Sequence, residues 1–264
     1  MLIDSILAEA KPYLNKRKIK DAVLGISLIG IQLDNNDIGL AYMLRDHLPA
    51  GCSVFGFAQE IIGANAYQVA QFAKEGSNDA QRGVGVAALT AGSRQLNLPD
   101  EDKKEAYFGL DISNNDIVGM IGLIPPVAES FAKQAKELIV FDESISNSGE
   151  KKHKNITSME RQEELLPGCD IVIISGSSFI NHSIDGLLQI CSGAREIVLV
   201  GSSTPMYPRA FSSTNVTVLA GSWWDSKLKN DLFKKIALAG GIHHVQKSMI
   251  KKSLRIKKEE VKNE

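Results

Sequence analysis

Cysteine is scarce in this chain, and its cysteines stand far apart. Cys52, Cys169 and Cys191 form no CxxC pair among 264 residues. Their odd number and wide spacing argue against the disulfide framework of small secreted domains and against a zinc knuckle. Cys169 and Cys191 adjoin apolar segments, where a free cysteine usually packs as a small buried hydrophobe. We therefore expect a reducing, cytoplasmic setting.

An excess of charge and a long apolar run are also missing. The formal net charge is -1, whereas a nucleic-acid-binding protein usually carries a basic face. No apolar run approaches the ~20 residues of a membrane helix, and the first residues lack the basic start of a signal peptide. We expect neither a nucleic-acid nor a membrane partner. The basic cluster at 247–258 predicts a solvated helix end or a frayed terminus.

Three familiar catalytic or cofactor motifs are missing too. The chain has no GxSxG elbow of a serine hydrolase and no HExxH zinc motif. The strand–helix junction at 119–126 lacks GxGxxG, although Asp142 and Glu143 follow about 20 residues later, where a dinucleotide fold keeps its ribose-binding acid. Classical NAD binding is disfavoured, and a nucleotide or adenosyl-type ligand stays open.

The first part of the chain predicts an α+β unit. Apolar residues at helical spacing indicate a helix over 3–14. Two β-rich runs, 22–33 and 38–44, enclose a polar turn and predict a hairpin. Helices are predicted over 66–74 and 79–95. The second of these is rich in alanine and glycine, and because glycine costs up to ~1 kcal/mol inside a helix, it is a candidate docking face for a homo-oligomer.

The remainder of the chain predicts an α/β unit with a parallel sheet. Five short apolar runs alternate with helical segments, and they lie at 117–124, 138–141, 171–174, 197–200 and 216–220. Apolar runs without alternation are typical of strands buried on both faces, as in parallel sheets. The change of pattern near 110–116 predicts two domains, 1–112 and 113–264.

Small polar residues follow two neighbouring strands of this predicted sheet. After 171–174 come Ser175, Ser177, Ser178 and Asn181, and after 197–200 come Ser202, Ser203, Thr204 and Pro205. Ligands of parallel sheets bind at the carboxyl ends of the strands, so both loops are candidate ligand-binding segments. The alternative is that serine and glycine here only form turns and cap helices.

Charged and aromatic candidates are fewer. His182 lies in the first of these loops and could ligate a transition metal through a neutral imidazole, although a lone loop histidine is more often a solvent residue. His243 and His244 would point to opposite faces of a strand and could not chelate together. The Trp223–Trp224 pair could cover a flat ligand or, more in keeping with its size, pack between the domains.

Several segments resemble a known family. LLPGCDIVIISGSSFINHSIDGLL, IVLVGSSTPMYPRAF and VTVLAGSWW are similar to the carboxyl-terminal domain of the family described as "putative heavy-metal chelation". VGMIGLIPPVAESFAKQAKELIVFDES resembles the first βαβ unit of that domain. GISLIGIQL, DIGLAYML and GANAYQVAQ resemble the enolase-N-terminal-like domain that precedes it.

This resemblance implies an enolase-N-terminal-like α+β domain followed by a Rossmann-like α/β domain, with a site in the cleft between them. The implied function is the binding of a heavy-metal ion or metal complex. The two serine-rich loops would line the cleft, and Asp142, Glu143 or His182 would supply charge or coordination. The alternative from the residues is an enzyme that acts on a small molecule with a nucleotide-type ligand in the same cleft.

Overall fold

The structure is a computed structural model that describes residues 1–46, 48–50, 53–98, 108–143 and 156–258. Among the residues considered above, Cys52 lies outside these ranges. The described chain forms two sheets, one of three strands and one of seven. We call residues 1–98 the amino-terminal unit and residues 108–258 the carboxyl-terminal unit.

The amino-terminal unit begins with a helix and a three-stranded antiparallel meander. Its elements are α1 (Leu2–Leu14), β1 (Ile19–Leu24), β2 (Leu28–Leu33) and β3 (Ile38–Tyr42). The predicted single strand over 22–33 is therefore wrong, because the chain reverses within it. The Gly25 amide donates to the Leu28 carbonyl at 2.9 Å and closes that turn. The predicted hairpin of two strands is therefore a meander of three strands.

Three helices follow the meander: α2 (Ala66–Ala70), α3 (Phe72–Glu75) and α4 (Asp79–Ser93). Asn65 and Asn78 cap α2 and α4, since their side chains accept hydrogen bonds from first-turn amides. The alanine- and glycine-rich α4 is buried over 13 of its 15 residues. It packs against the meander, α1, α2 and α3. The helix is thus covered by its own chain and offers no open docking face.

The carboxyl-terminal unit contains the large, mostly parallel sheet. Its strands are β4 (Ile117–Ile121), β5 (Glu137–Phe141), β6 (Ile156–Thr157), β7 (Ile171–Ser175), β8 (Glu196–Val200), β9 (Val218–Trp224) and β10 (Met249–Arg255). Their spatial order is β10-β9-β8-β7-β4-β5-β6, and only the β10–β9 pair is antiparallel. The five predicted strands are present, so the alternating pattern identified the parallel core correctly.

The end of the chain differs from the prediction. The solvated helix end or frayed terminus expected at 247–258 is wrong, because β10 pairs with β9 along its whole length. Lys252 and Leu254 lie on the buried side of this strand, while Lys251 and Arg255 are exposed. Strand pairing and burial of one face explain why a basic segment is ordered here.

Four helices connect the strands: α5 (Pro125–Phe131), α6 (Gln162–Leu165), α7 (Ile184–Ile190) and α8 (Lys229–Ala237). Pro125 occupies the first turn of α5, where its missing N–H costs nothing. Thr157 and Glu160 have the spacing of a capping box, but none forms, since Thr157 ends β6 and Ser158 makes no side-chain cap. Within the described ranges, no helix is long and apolar enough to cross a membrane.

The two units share extensive buried contacts. The α8 helix packs on the face of the meander opposite α4, with Phe233 close to Gly30. On the other side, Glu9 of α1 accepts a hydrogen bond from the Ala210 amide at 2.6 Å. Trp223 and Trp224 lie within β9 and are buried between the units. The Trp223 Nε1–H donates to Ser93 Oγ of α4 at 3.3 Å.

Candidate functional site

The two serine-rich loops lie against each other at the carboxyl edge of the parallel sheet. Residues 176–181 follow β7 and residues 201–207 follow β8, and these strands are neighbours. A Cβ atom on Gly176 would lie 2.6 Å from the Thr204 amide nitrogen and 2.6 Å from the Ser203 carbonyl carbon. Glycine is thus required at this position because the two backbones touch there.

Both loops also contact the amino-terminal unit. The Tyr42 amide, at the end of β3, donates to Ser203 Oγ at 2.9 Å. The Arg82 side chain of α4 donates from Nε to the Ile180 carbonyl at 2.6 Å. The loops therefore lie at the junction of the two units, which is where the resemblance implies a site.

Two hydroxyl groups form the more accessible rim of this junction. Ser175 and Ser177 are half-buried, and their Oγ atoms lie 3.0 Å apart in a hydrogen bond. Beside them, Gly122 turns the chain after β4 with φ +83°, and a Cβ atom there would lie 2.9 Å from the Ser175 Cβ. Any side chain at residue 122 would therefore crowd the rim as well as strain the backbone.

Three further hydroxyl groups lie beneath the rim. Ser178, Ser202 and Thr204 are 3%, 4% and 1% exposed. Among the described residues, none offers a hydrogen-bond partner to the hydroxyl oxygen of these three side chains. Buried polar groups are nearly always paired, and one left unpaired costs about 1–3 kcal/mol. Three hydroxyl groups of this kind lie on the two touching loops.

The remaining candidates in these loops have partners of their own. Asn181 Oδ1 accepts from the amide and the hydroxyl of Ser183 at 3.2 and 2.8 Å, which is a local turn before α7. Pro205 is buried next to Thr204. These two residues shape the loops, while the serine and threonine hydroxyls carry their hydrogen-bonding capacity.

Asp142 lies at the carboxyl end of β5 and braces the neighbouring loop. Its Oδ2 accepts a hydrogen bond from the Leu123 amide at 2.7 Å, directly after the Gly122 turn. Glu143 follows it, and both side chains are half-buried. This acid thus holds the backbone between β4 and α5, a position that also faces the ligand side of the sheet.

His182 bridges its loop to the amino-terminal unit. Its backbone has φ +60°, and its Nε2 lies 2.9 Å from the Ala73 carbonyl oxygen. A carbonyl can only accept, so Nε2 is the donor of this bond, and in the neutral imidazole Nδ1 keeps its lone pair. Within the part of the chain that the structure describes, no group of three histidine, cysteine, aspartate or glutamate side chains is placed to hold a metal ion.

The structure corrects the interpretation of His243 and His244. They lie in a 3₁₀ turn over Ile242–Ser248, not on a strand, and their ring centroids are 3.7 Å apart. The adjacent rings are therefore on one side of the chain. His244 Nδ1 accepts from the Gly241 amide at 3.1 Å, which leaves its Nε2 to the solvent.

Cys169 and Cys191 are free thiols in the hydrophobic core, as expected. Burial raises the pKa of Cys169 to about 11 and that of Cys191 to about 12. Both are therefore protonated at neutral pH, and a protonated thiol is a poor nucleophile and a poor metal ligand.

We predict that neither Cys169 nor Cys191 reacts with iodoacetamide at pH 8 in the folded protein, and that both react after denaturation. Peptide mapping by mass spectrometry distinguishes the two states. Because the folded pKa values are raised, these thiols also make the folded state less stable as the pH rises above 9, the value of an unburied thiol, towards 11 and 12. Labelling of either peptide in the native protein would contradict the assignment.

Sequence reasoning did not find Tyr42, Arg82 or Gly122 at this site. Each contributes through its backbone, or through a bond to a backbone atom, from a distant part of the chain. A positive φ at Gly122 was the one feature with a local signal, since a glycine directly after a buried strand often marks such a turn.

Comparisons with known proteins agree with this architecture. A family model with the description putative heavy-metal chelation, DUF364, matches residues 106–255, and a second with the same description, DUF4213, matches residues 7–93. An uncharacterized protein of Methanocaldococcus jannaschii is 28% identical over 144 residues. That alignment spans 54% of this chain and 54% of the relative, so the match covers about half the length of each.

Two solved structures share the fold. One is a DUF364 protein of unknown function from Pyrococcus horikoshii, with a TM-score of 0.81 over 97% of this chain and 100% of that chain. The other, from Desulfitobacterium hafniense DCB-2, is also a DUF364 protein of unknown function and has a TM-score of 0.77 over 96% and 98%. Both are 20% identical to this chain, so the likeness concerns the fold alone.

Proposed function

This chain belongs to the DUF364 family, whose description is putative heavy-metal chelation, and we propose that it binds a heavy metal as a small, oxygen-rich complex. The proposed site is the junction of the loops after β7 and β8. The observation that carries the proposal is the set of three buried hydroxyl groups, on Ser178, Ser202 and Thr204, that have no partner in the described chain.

The chemistry of the available donors favours a metal complex over a bare ion. Soft and borderline metal ions prefer thiolate and imidazole ligands. The described cysteines are buried with raised pKa values, and His182 has one ring nitrogen already bonded to Ala73. Hydroxyl groups and loop amides instead suit the carboxylate or hydroxyl oxygens of an organic chelator. The protein would then recognise the chelator, which supplies the metal ligands.

The roles within the site follow from burial. Ser175 and Ser177 at the rim would make the first contacts, together with Asn181, and Ser203 would hold the loop to Tyr42. Ser178, Ser202 and Thr204 would pair with ligand oxygens after a small separation of the two loops. Asp142, Glu143 and the free Nδ1 of His182 would supply charge or a coordinating atom at the edge.

The proposal extends to the architecture of the two units. We propose that residues 1–112 form an enolase-N-terminal-like domain and residues 113–264 a Rossmann-like domain. The support is a meander followed by helices in the first and a largely parallel sheet in the second. The site would then lie on loops of the second domain, at the carboxyl edge of its sheet, where the first domain covers them.

A nucleotide-type ligand at the same edge is the second candidate, and one observation favours it. Gly122 forms a left-handed turn at the carboxyl end of β4, as glycines near a bound phosphate do. The acid that would face a ribose, Asp142, instead accepts a hydrogen bond from the Leu123 amide. Native mass spectrometry of the purified protein distinguishes the candidates by the mass of any retained ligand.

The test is calorimetric titration with Ni, Co, Cu, Fe and Zn, each as the free ion and as its citrate complex. We expect saturable binding of at least one citrate complex to the wild type. Ser178→Ala and Thr204→Val should each weaken that binding about tenfold, the loss expected for one hydrogen bond to a charged group. Neither change should destabilise the free protein, because each removes a buried hydroxyl that has no partner.

Two variants serve as controls. Ser192→Ala replaces an exposed serine away from the junction and should bind like the wild type. His182→Ala tests whether the protein binds the free ion directly. If the wild type binds a free ion and His182→Ala does not, the ion is chelated at His182 and the proposed complex is wrong. If the folded wild type binds neither ions nor complexes, the proposed function is wrong.

A further inference from the structure

We propose a second ligand site, for a phosphate group, between the meander and the start of α8. A hollow of about 260 Å³ lies there. Its lining residues are Lys20, Gln32, Ser226, Lys227, Lys229 and Asn230. All six carry hydrogen-bond donors, and none is acidic. The hollow is on the α8 side of the meander, whereas the serine-rich loops contact the end of β3 and α4.

Gln32 is the observation that points to a ligand. It is 5% exposed, and its side-chain amide makes no hydrogen bond to any residue that the structure describes. Side chains alternate along β2, so Gln32 shares the face of Gly30, which packs against Phe233 of α8. The amide therefore forms part of the wall of the hollow. The side chain is buried, but its amide atoms open into the hollow, which is where a solvent molecule or a ligand would pair with them.

The charges around the hollow favour an anion. Within the described chain, nothing accepts from Lys227 Nζ, and Lys20 uses one donor on Asn36 Oδ1 at 2.7 Å. Lys229 pairs with the Asp21 carboxylate. Asp231 pairs with Lys235, which does not line the hollow. Asp225 keeps its negative charge although it accepts a hydrogen bond from the Lys227 amide. Three lysines thus face the carboxylates of Asp21 and Asp225, and one positive charge is in excess at the hollow.

The backbone at the start of α8 is already paired. A 3₁₀ turn, Ser226–Leu228, leads directly into the helix, and Asp225 accepts hydrogen bonds from the Lys227 and Leu228 amides. The Lys229 amide bonds to the Ser226 carbonyl. The groups offered to a ligand here are therefore side chains, and Ser226 and Asn230 add a hydroxyl and an amide donor.

Together these groups fit a tetrahedral oxyanion with two negative charges. The Gln32 amide would donate to one phosphate oxygen, and the side chains of Lys227, Ser226 and Asn230 would pair with the others. The hollow is larger than a single phosphate, so it can also take the near part of a small phosphate ester. Orthophosphate and such an ester carry the same phosphate group, so the site would recognise both through the same contacts. The experiment below distinguishes them by their affinities.

The test is titration of the full chain with inorganic phosphate and with glycerol 3-phosphate, at constant ionic strength set by chloride. We expect saturable binding by calorimetry, with the tighter ligand identifying the source of the phosphate group. Lys227→Gln should weaken binding about tenfold, because it removes one charge-assisted hydrogen bond. Gln32→Glu, nearly identical in size, should abolish binding, because it places a carboxylate against the anion.

Lys234→Gln is the matched control, since Lys234 is exposed on the same helix and does not line the hollow. It should bind phosphate like the wild type. If the Gln32 variant does not fold, the exposed position Lys227 decides the question, by comparison with Lys234→Gln. The proposal is overturned if the wild type shows no saturable binding, or if Lys227→Gln and Lys234→Gln weaken binding equally.

Discussion

Replacing Tyr207 with alanine is expected to lower the free energy of unfolding by about 3–5 kcal/mol, the range for truncating a buried aromatic side chain. Tyr207 is fully buried in the loop after β8, and its ring lies 6.4 Å from that of Tyr13 in α1. Its hydroxyl donates to the Leu89 carbonyl of α4 at 3.0 Å. Urea denaturation followed by far-UV circular dichroism measures the effect.

The Tyr207→Phe variant separates the hydroxyl from the ring. It keeps the packing and removes one buried hydrogen bond, so the expected loss is about 1 kcal/mol. Burial raises the pKa of Tyr207 well above its ordinary value, so the hydroxyl stays a donor throughout the neutral range. An alanine variant no less stable than the phenylalanine variant would show that this contact does not hold the loop to α4.

The same contact bears on the proposed site. Tyr207 lies three residues after Thr204, so its anchor on Leu89 fixes the position of the loop that carries Ser202 and Thr204. A loosened loop would let water reach these hydroxyls. We therefore expect Tyr207→Ala to weaken ligand binding at the junction, whereas Tyr207→Phe should affect it little.

The parallel core was predictable because its signal is local. Runs such as 171–174 and 197–200 are apolar without alternation and end in small polar residues, which indicates strands buried on both faces. The extent of α4 was predictable for a similar reason, since Asn78 is a cap residue and the helix starts where expected.

The errors arise where tertiary contacts decide. Residues 249–255 carry lysines and look solvated, yet they become a strand because β9 offers an unpaired edge. The break between β1 and β2 depends on Gly25, whose backbone approaches Ile236 of α8 so closely that a Cβ would lie 2.3 Å from that carbonyl oxygen. In both cases the deciding contact comes from a distant part of the chain, β9 in the first and Ile236 in the second.

The candidate site shows the same division. The two loops and their order along the chain follow from the sequence, because carboxyl ends of parallel strands meet at one edge. Contacts between the loops and across the units decide which hydroxyls are paired. Ser203 is bonded to Tyr42, whereas Ser178, Ser202 and Thr204 are buried without partners among the described residues. No local pattern distinguishes these four residues.

Gly39→Ala is expected to destabilise the protein by about 3 kcal/mol, at the upper end for inserting a methyl group into a packed core. A Cβ atom on Gly39 of β3 would lie 2.1 Å from the Ala87 carbonyl oxygen and 2.2 Å from the Ala91 amide nitrogen of α4. These are backbone atoms, so no side-chain rotation relieves the overlap, and α4 must move away from the meander.

Gly186→Ala is the matched control for this prediction, because the same methyl group is added in open space. A Cβ atom on Gly186 meets nothing within 4 Å, and the residue lies within α7. Alanine there should raise the free energy of unfolding by roughly 0.5–1 kcal/mol through its higher helix propensity.

A shift of α4 in Gly39→Ala should also reach the proposed site, because Arg82 of α4 donates a hydrogen bond to the Ile180 carbonyl of the serine-rich loop. Thermal denaturation should show that Gly39→Ala is less stable and Gly186→Ala more stable than the wild type. Titration with the citrate complexes should show loss of binding in Gly39→Ala only.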